Sequence, residues 1–394
     1  MMKLTFLGDI MCDYTMTRGL EKYRDRLSGT FDFSTVFAHI RPMLESSDYV
    51  FSNLETPISA NDDNLTGKKW NFNSPIEFAK AVKECGVDFV STANNHCLDR
   101  GLDGLVSTIN SLDAVGLAHC GTQTKRGNEY TIVNVGGLRI GVLAYTYGTN
   151  AFSNNCYLPK KRLWAVNMLQ AQEGRIKRIW RRLFGNRLEK LFAGLEKRLY
   201  PDNVGKQIYE KETFSLYRKL LIKRDLRKIK RERVDLVVTY LHIGGQYNLE
   251  PSSYTKRVTN WFLSKGCDIV IDNHEHVVHG SMISSNKIAA YALGNCVGSA
   301  GVLHGPFDRR AEYSIALHTY INEKTKRVQK VSFSILKTII GVGDKYETWQ
   351  VSDLLDRLQG EEREQLLADC LKTAKDFAGI EFKSIAPEFV IKDV

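Results

Sequence analysis

The sequence predicts an α/β fold, on three observations. Short apolar runs alternate with helical patterns from Leu4 to Leu293. Most of these runs are continuously apolar, as in strands buried on both faces. A group of Asp, Glu, Asn or His follows nearly every run, and ligands in α/β sheets bind beyond the carboxyl ends of strands.

The elements read in order as follows. Strands fall at Leu4–Leu7, Tyr49–Phe51, Phe89–Ser91, Ile140–Tyr145, Leu236–Tyr240, Ile269–Ile271 and Ala289–Leu293. The stretch YTIVNVGGLRIGVLAYTY reads as a hairpin around Gly136-Gly137, with apolar alternation on its first arm. Helical patterns occupy Ser34–Leu44, Ile76–Glu84, Gly104–Val115 and Tyr254–Ser264. Strand–helix alternation of this kind means an α/β domain. Beyond about Thr319, VQKVSFSILKTIIG reads as a strand that finishes the sheet. The following WQVSDLLDRLQGEEREQLLADCLKTAKDF reads as one or two amphipathic helices broken near Gly360.

A chain of 394 residues suffices for one large domain or two ordinary ones. With 43% hydrophobic and 25% charged residues, the composition is that of a globular protein. No apolar stretch approaches the roughly 18–20 residues of a membrane span. The opening MMKLTFLGDIM runs into a strand and lacks the long apolar region of a signal peptide. Unless a leader has been removed, a cytoplasmic location is therefore expected. The eight cysteines form no CxxC and no close pair, which predicts reduced, packed thiols.

The net charge of +10 is unevenly spread. Lys160 to Arg233 holds about 23 Lys and Arg against about 8 Asp and Glu, so the remainder is mildly acidic. Within it, Arg175–Leu199 carries apolar residues at i, i+3, i+4 and i+7, including Trp180, Phe184 and Phe192. The other face is basic. This pattern predicts either an anchor for an anionic membrane surface or a helical hairpin packed on the domain or across a dimer. Nucleic acid is not expected as a partner, because no stacking module or groove-reading motif accompanies the charge.

The polar groups after the strands carry the chemistry. They are Asp9, then Asn53-Leu54-Glu55, then Asn94-Asn95-His96, then His242, then His274 and His276, and finally Asn295. A mixed oxygen and imidazole set suits Mn, Fe or Zn better than the all-oxygen shells of calcium. His96 beside Asn95 suits proton donation to a leaving group, with Asp99 orienting its loop. Taken singly, Asn94 and Asn295 read as left-handed turn residues, and His279 as a surface or packing residue.

In order and spacing, FLGDIM, NLETP, STANNHCLDRGLDGL, LHIGGQYNLEP, DIVIDNHEHVVHG and YALGN resemble the bacterial capsule synthesis protein CapA (poly-γ-glutamate capsule) family. That family is similar to the calcineurin-like metallophosphoesterases. The resemblance implies a four-layer α/β/β/α sandwich with a centre of one or two divalent transition-metal ions at the strand ends. It implies metal ligation by Asp9, Glu55 (as bridging carboxylate), Asn95, His242, His274 and His276, and catalysis by His96 with Asp99. It places a CapA-like domain at residues 1–320, with a basic helical insertion at about 156–219 and a C-terminal strand and helical extension at 321–394.

Two departures stand out. The phosphoesterase first motif is Asp-x-His, whereas Asp9-Ile10-Met11 has no histidine, so one of two metals would lack a ligand. Asp272 and Glu275 add two carboxylates around the closing motif, as extra ligands or as repulsion to phosphate. Two functions follow from the resemblance. One is a phosphoesterase-like metal-dependent hydrolase acting on an anionic polymer or a phosphorylated envelope precursor. The other is a non-catalytic protein that binds a polyanion during capsule assembly.

Overall fold

Two sheets face each other across the main core. The first is nine-stranded, with the path Tyr346–Gln350, Val328–Ile340, Tyr313–Ile321, Met2–Ile10, Tyr49–Leu54, Phe89–Ser91, Ala118–Cys120. Asn295–Val297 also pairs with Met2–Ile10, and Phe389–Asp393 with Val328–Ile340. The second sheet has six strands, in the order Ser281–Ile283, Ile288–Ala290, Ile269–Asn273, Leu236–His242, Leu138–Thr146, Tyr130–Val135. This computed structural model describes residues 1–394 apart from 14–15, 17–19, 26–27, 60–64, 66–70, 152, 171, 173–213, 285, 299–308 and 394. The basic amphipathic stretch Arg175–Leu199 lies outside the described residues.

The four layers follow from which side chains each strand sends to which face. Leu4, Phe6, Phe51 and Phe89 of the first sheet share one core with Ile140, Val142, Val238, Tyr240, Ile269 and Ile271 of the second. Their neighbours along each strand point the other way, as the two-residue period of a strand requires. Leu7, Val50 and Val90 pack under helices that supply Val36, Phe37, Phe78, Val82 and Leu112. Leu143, Val237 and Val270 pack under Ile222, Leu226, Val258 and Phe262 of the helices Leu216–Arg231 and Ser253–Ser264. The result is the expected α/β/β/α sandwich.

Several elements differ from their sequence reading for identifiable reasons. The helix read at Ser34–Leu44 is two short ones, Ser34–Phe37 and Arg41–Glu45, with Pro42 at the start of the second. Proline has no N–H for a continuous helix and its ring clashes with the carbonyl four residues earlier, which separates the two. The strand read at Ala289–Leu293 is Ile288–Ala290 of the second sheet, after which the chain crosses to the first sheet as Asn295–Val297. The crossing brings backbones close. Asp9 N–H donates to Gly294 O at 3.0 Å, and a Cβ on Gly8 would lie 1.9 Å from that oxygen. Gly8 is required at this contact.

After Tyr313–Ile321, the long strand Val328–Ile340 joins the first sheet antiparallel. The helix Gly360–Ala378 then buries Leu366, Cys370, Ala374 and Phe377 against Ile315 and Phe333 of that sheet. Ser281 donates to Phe377 O at 2.9 Å, so this helix continues the inner layer at the edge of the second sheet.

His318 lies fully buried in this region, with Nδ1 2.8 Å from Thr5 Oγ1 and Nε2 3.1 Å from Ser334 Oγ. Burial, then Lys3, lowers it to about 3 despite the opposing Glu388. An unfolded histidine titrates near about 6.5. Between those values the unfolded chain binds the extra proton, so stability falls on acidification, by up to about 1.4 kcal/mol per pH unit from this group. Urea unfolding at several pH values from 6.5 to 4 is expected to show a shallower loss for His318→Gln than for the native chain. Equal slopes would show that the group does not stay neutral in the fold.

Candidate metal centre

Parallel pairing sets Asp9 beside Asn53 in the first sheet and Asn273 beside His242 in the second. Glu55, Asn95, His274 and His276 follow directly from the ends of their strands. The six residues expected as ligands therefore converge at one edge of the sandwich, all buried. Donor atoms of five of them form two overlapping triads, Asp9–Glu55–His242 and Glu55–His274–His276, with ligand atoms within 4.8 Å of one another in each.

His242 Nε2 is 3.3 Å from Glu55 Oε1 and 2.9 Å from Asn95 Oδ1, while its Nδ1 is 3.9 Å from Asp9 Oδ1. His276 Nδ1 lies 3.6 Å from Asp9 Oδ2 and 4.0 Å from Glu55 Oε2. The His274 ring centre is 4.7 Å from that of His242 and 5.9 Å from that of His276. Both residues of the closing motif adopt positive φ, 94° at His274 and 58° at His276. Such backbone costs on the order of 1–3 kcal/mol per residue and collects at functional sites.

The electrostatics suit a cation. Burial first, then the facing Glu55 carboxylate, raises Asp9 to about 8, and burial also raises Glu55. Two buried carboxylates this close resist ionising together unless positive charge sits between them. Among the described residues no neutral donor bonds either oxygen of Glu55, whose neighbours are the Asp9 carboxyl and the His242 and His276 rings, a costly setting for a buried acid. Burial lowers His242 to about 4 and pushes His274 and His276 below the usual histidine range, so all three imidazoles are held neutral. Neutral imidazole and carboxylate are the forms in which these side chains ligate. The residues fit a divalent metal.

His96 has the opposite character. Burial is the largest single influence and lowers it, but the charge and hydrogen bond of Asp99, with smaller contributions from Glu55 and Asp9, together raise it above the ordinary value. Asp99 Oδ2 is 2.6 Å from His96 Nδ1 and accepts Phe72 N–H at 2.7 Å, and Asn154 donates to Oδ1 at 2.7 Å. Phe72 stacks on the His96 ring at 4.0 Å.

Other polar residues differ from their sequence reading. Neither Asn94 nor Asn295 has left-handed backbone. Asn94 donates to Leu54 O at 2.7 Å and accepts His96 N–H at 3.2 Å, tying the His96 turn to the neighbouring strand. Asn53 donates to Asp9 Oδ1 at 2.7 Å and so fixes that carboxylate. Asn295 is a strand residue whose Oδ1 lies 2.9 Å from His276 Nδ1. Asp272 does not line the centre. It accepts Thr259 Oγ1–H at 2.6 Å beneath the helix layer, and burial pushes its carboxyl far above the usual range. Glu275 belongs to neither triad, and its Oε1 packs against Gly244, where a Cβ would lie 1.9 Å away. His279 is buried with Nε2 2.8 Å from Asn248 O, so of its two expected roles, surface or packing, it takes the packing one.

Comparison with known proteins identifies the family. The family model for bacterial capsule synthesis protein PGA_cap matches residues 3–300. The chain is 26% identical over 303 residues to the capsule biosynthesis protein CapA of Bacillus anthracis, covering 76% of this chain and 60% of that protein. It is 23% identical over 303 residues to the PGA biosynthesis protein CapA of Bacillus subtilis (strain 168), covering 75% and 63%. The chain thus spans about 60% of the length of these relatives. Among solved structures, 5'-nucleotidase from Candida albicans SC5314 aligns at 10% identity over 95% of this chain and 58% of that one, with a TM-score of 0.39. That likeness is too distant to carry an argument. The family match over most of the chain is decisive: the chain belongs to the bacterial capsule synthesis protein PGA_cap family.

Proposed function

We propose that this chain is a metal-dependent hydrolase of the phosphoesterase kind. Its substrate would be an anionic polymer or a phosphorylated precursor in capsule or cell-envelope assembly, poly-γ-glutamate among the candidates. The observation that carries the reading is the His96–Asp99 pair, held at 2.6 Å on the turn that also bears Asn95. A protein that only bound a polyanion would have no use for a buried, carboxylate-held histidine beside a ligand cluster.

One or two divalent ions (Mn, Fe or Zn) would supply an activated water and charge stabilisation for the displacement. Asp9, Glu55, Asn95, His242, His274 and His276 would hold them. Asp99 keeps the His96 Nδ1 proton, so Nε2 is the nitrogen left to give a proton to the leaving oxygen. Phe72 stacks on that ring and Asn94 holds the backbone of its turn. Burial of the whole set keeps bulk water from competing for these groups.

The purified chain is expected to contain one or two transition-metal ions by elemental analysis. It is expected to hydrolyse aryl phosphate mono- or diesters, to lose activity on chelation, and to regain it with Mn, Fe or Zn. Bound metal without turnover of phosphoesters, together with saturable poly-γ-glutamate binding, would overturn the hydrolase reading in favour of an accessory role.

A further inference from the structure

We propose that Asn295 is a metal ligand, filling through Oδ1 the place left by the absent histidine of the first motif. The inference rests on the metal-centre reading above and concerns which residues of this chain complete it. Asp9-Ile10-Met11 puts a methionine where Asp-x-His would supply an imidazole. Met11 is buried, and its side chain lies against Gly298, where an added Cβ would stand 2.8 Å from the Met11 methyl carbon. A packed thioether is a poor ligand for the harder ions that carboxylates and imidazoles favour.

The chain supplies another donor at the same end of the same strand. Asn295 pairs in register with Asp9, across the close approach that Gly8 permits to Gly294. Its amide is oriented by its own bonds. Nδ2 donates to Ala311 O at 3.3 Å and to His276 O at 3.5 Å, which turns Oδ1 inward to within 2.9 Å of His276 Nδ1. The same nitrogen is 3.6 Å from Asp9 Oδ2 and 4.0 Å from Glu55 Oε2.

Three oxygens thus gather around one imidazole nitrogen, and Asn295 is fully buried. A single Nδ1 proton can satisfy only one of the three; Asp9 Oδ2 also accepts His274 N–H at 3.2 Å, whereas among the described residues no neutral donor bonds Glu55 Oε2. One cation bonded to Nδ1 satisfies all of them. The other ring nitrogen, Nε2, lies 3.4 Å from the Gln246 amide nitrogen. That side chain can present its NH2 or its oxygen to the ring, so a proton on Nε2 finds an acceptor. The alternative is that Nδ1 keeps its proton, donates it to Asn295 Oδ1, and His276 ligates through Nε2. Asn295 would then only hold the ring's tautomer, as outer partners of metal ligands commonly do.

The test separates the two roles on native protein. The chain, with histidine labelled with nitrogen-15, is loaded with cadmium-113, and metal–nitrogen couplings are read by NMR. Coupling to Nδ1 of His276 is expected. Asn295→Ala should weaken binding of one ion about tenfold or more by chelator competition, and Asn295→Asp, which keeps an oxygen, should retain it. Adding Met11→His to Asn295→Ala should restore affinity, because an imidazole then returns to the vacated position. Coupling at Nε2, or unchanged affinity in a folded Asn295→Ala, would overturn the proposal while leaving the metal centre intact. Failure of the native chain to bind cadmium, zinc or manganese at all would overturn the centre itself.

Discussion

Glu55→Gln is expected to abolish stable metal binding while leaving the fold intact. Among the described residues, Glu55 is the one common to both ligand triads, and no neutral donor bonds its oxygens. Glutamine has nearly the same volume, so the packing survives. It removes the charge that balances the cation and brings an NH2 group into a space ringed by neutral imidazoles and an acidic oxygen. Loss of an outer-shell partner typically weakens a metal site about 10- to 100-fold, and loss of a shared carboxylate should exceed that range.

A second readout distinguishes this from damage. The native chain should melt higher with metal than after chelation, by the mass action of a ligand that binds only the folded state. Glu55→Gln should show no such gain, and its melting temperature should match or exceed that of the chelated native chain, since a costly buried carboxylate has been removed. Native stoichiometry in the variant by elemental analysis would show that Glu55 is not a ligand.

Much of this centre was legible because its signals are local. Asp9, Glu55, Asn95, His242, His274 and His276 each sit at or just past a strand end, and a parallel sheet carries all such ends to one edge. His96 and Asp99 are three residues apart, so one turn accounts for their contact. What could not be read depends on chain crossings. Asn295 looked like a turn residue because nothing local says that the chain passes from the second sheet to the first between Ala290 and Asn295.

Asp272 is a different case. Its neighbours Val270 and Ile271 pack in the outer and inner cores respectively, so the strand period sends Asp272 outward with Val270 and Asn273 inward with Ile271. That period was available in the sequence. The split of Ser34–Leu44 was also readable, from Pro42. The long basic stretch differs again, because its amphipathic pattern fits a membrane anchor and a packed hairpin equally, and only a partner surface decides between them.

His96→Asn is expected to leave metal content near native while lowering kcat by about 10²–10⁴ on a substrate with a poor leaving group. The reasoning starts from the two neighbours on one turn. Asn95 Oδ1 faces His242 Nε2 at 2.9 Å, inside the ligand cluster, whereas His96 Nδ1 turns to Asp99 at 2.6 Å. Adjacent residues on a rigid turn point apart, so the change at position 96 does not reach the ligands. An asparagine there still offers an amide near Asp99 but has no proton to give at neutral pH. An activated aryl ester departs without protonation, so the loss should shrink markedly on that substrate. Asp99→Asn should fall in between, because the ring keeps its place against Phe72 but loses the carboxylate that favours its charged form. Equal losses of His96→Asn on both kinds of ester would assign the histidine to scaffolding, and loss of metal in that variant would assign it to ligation.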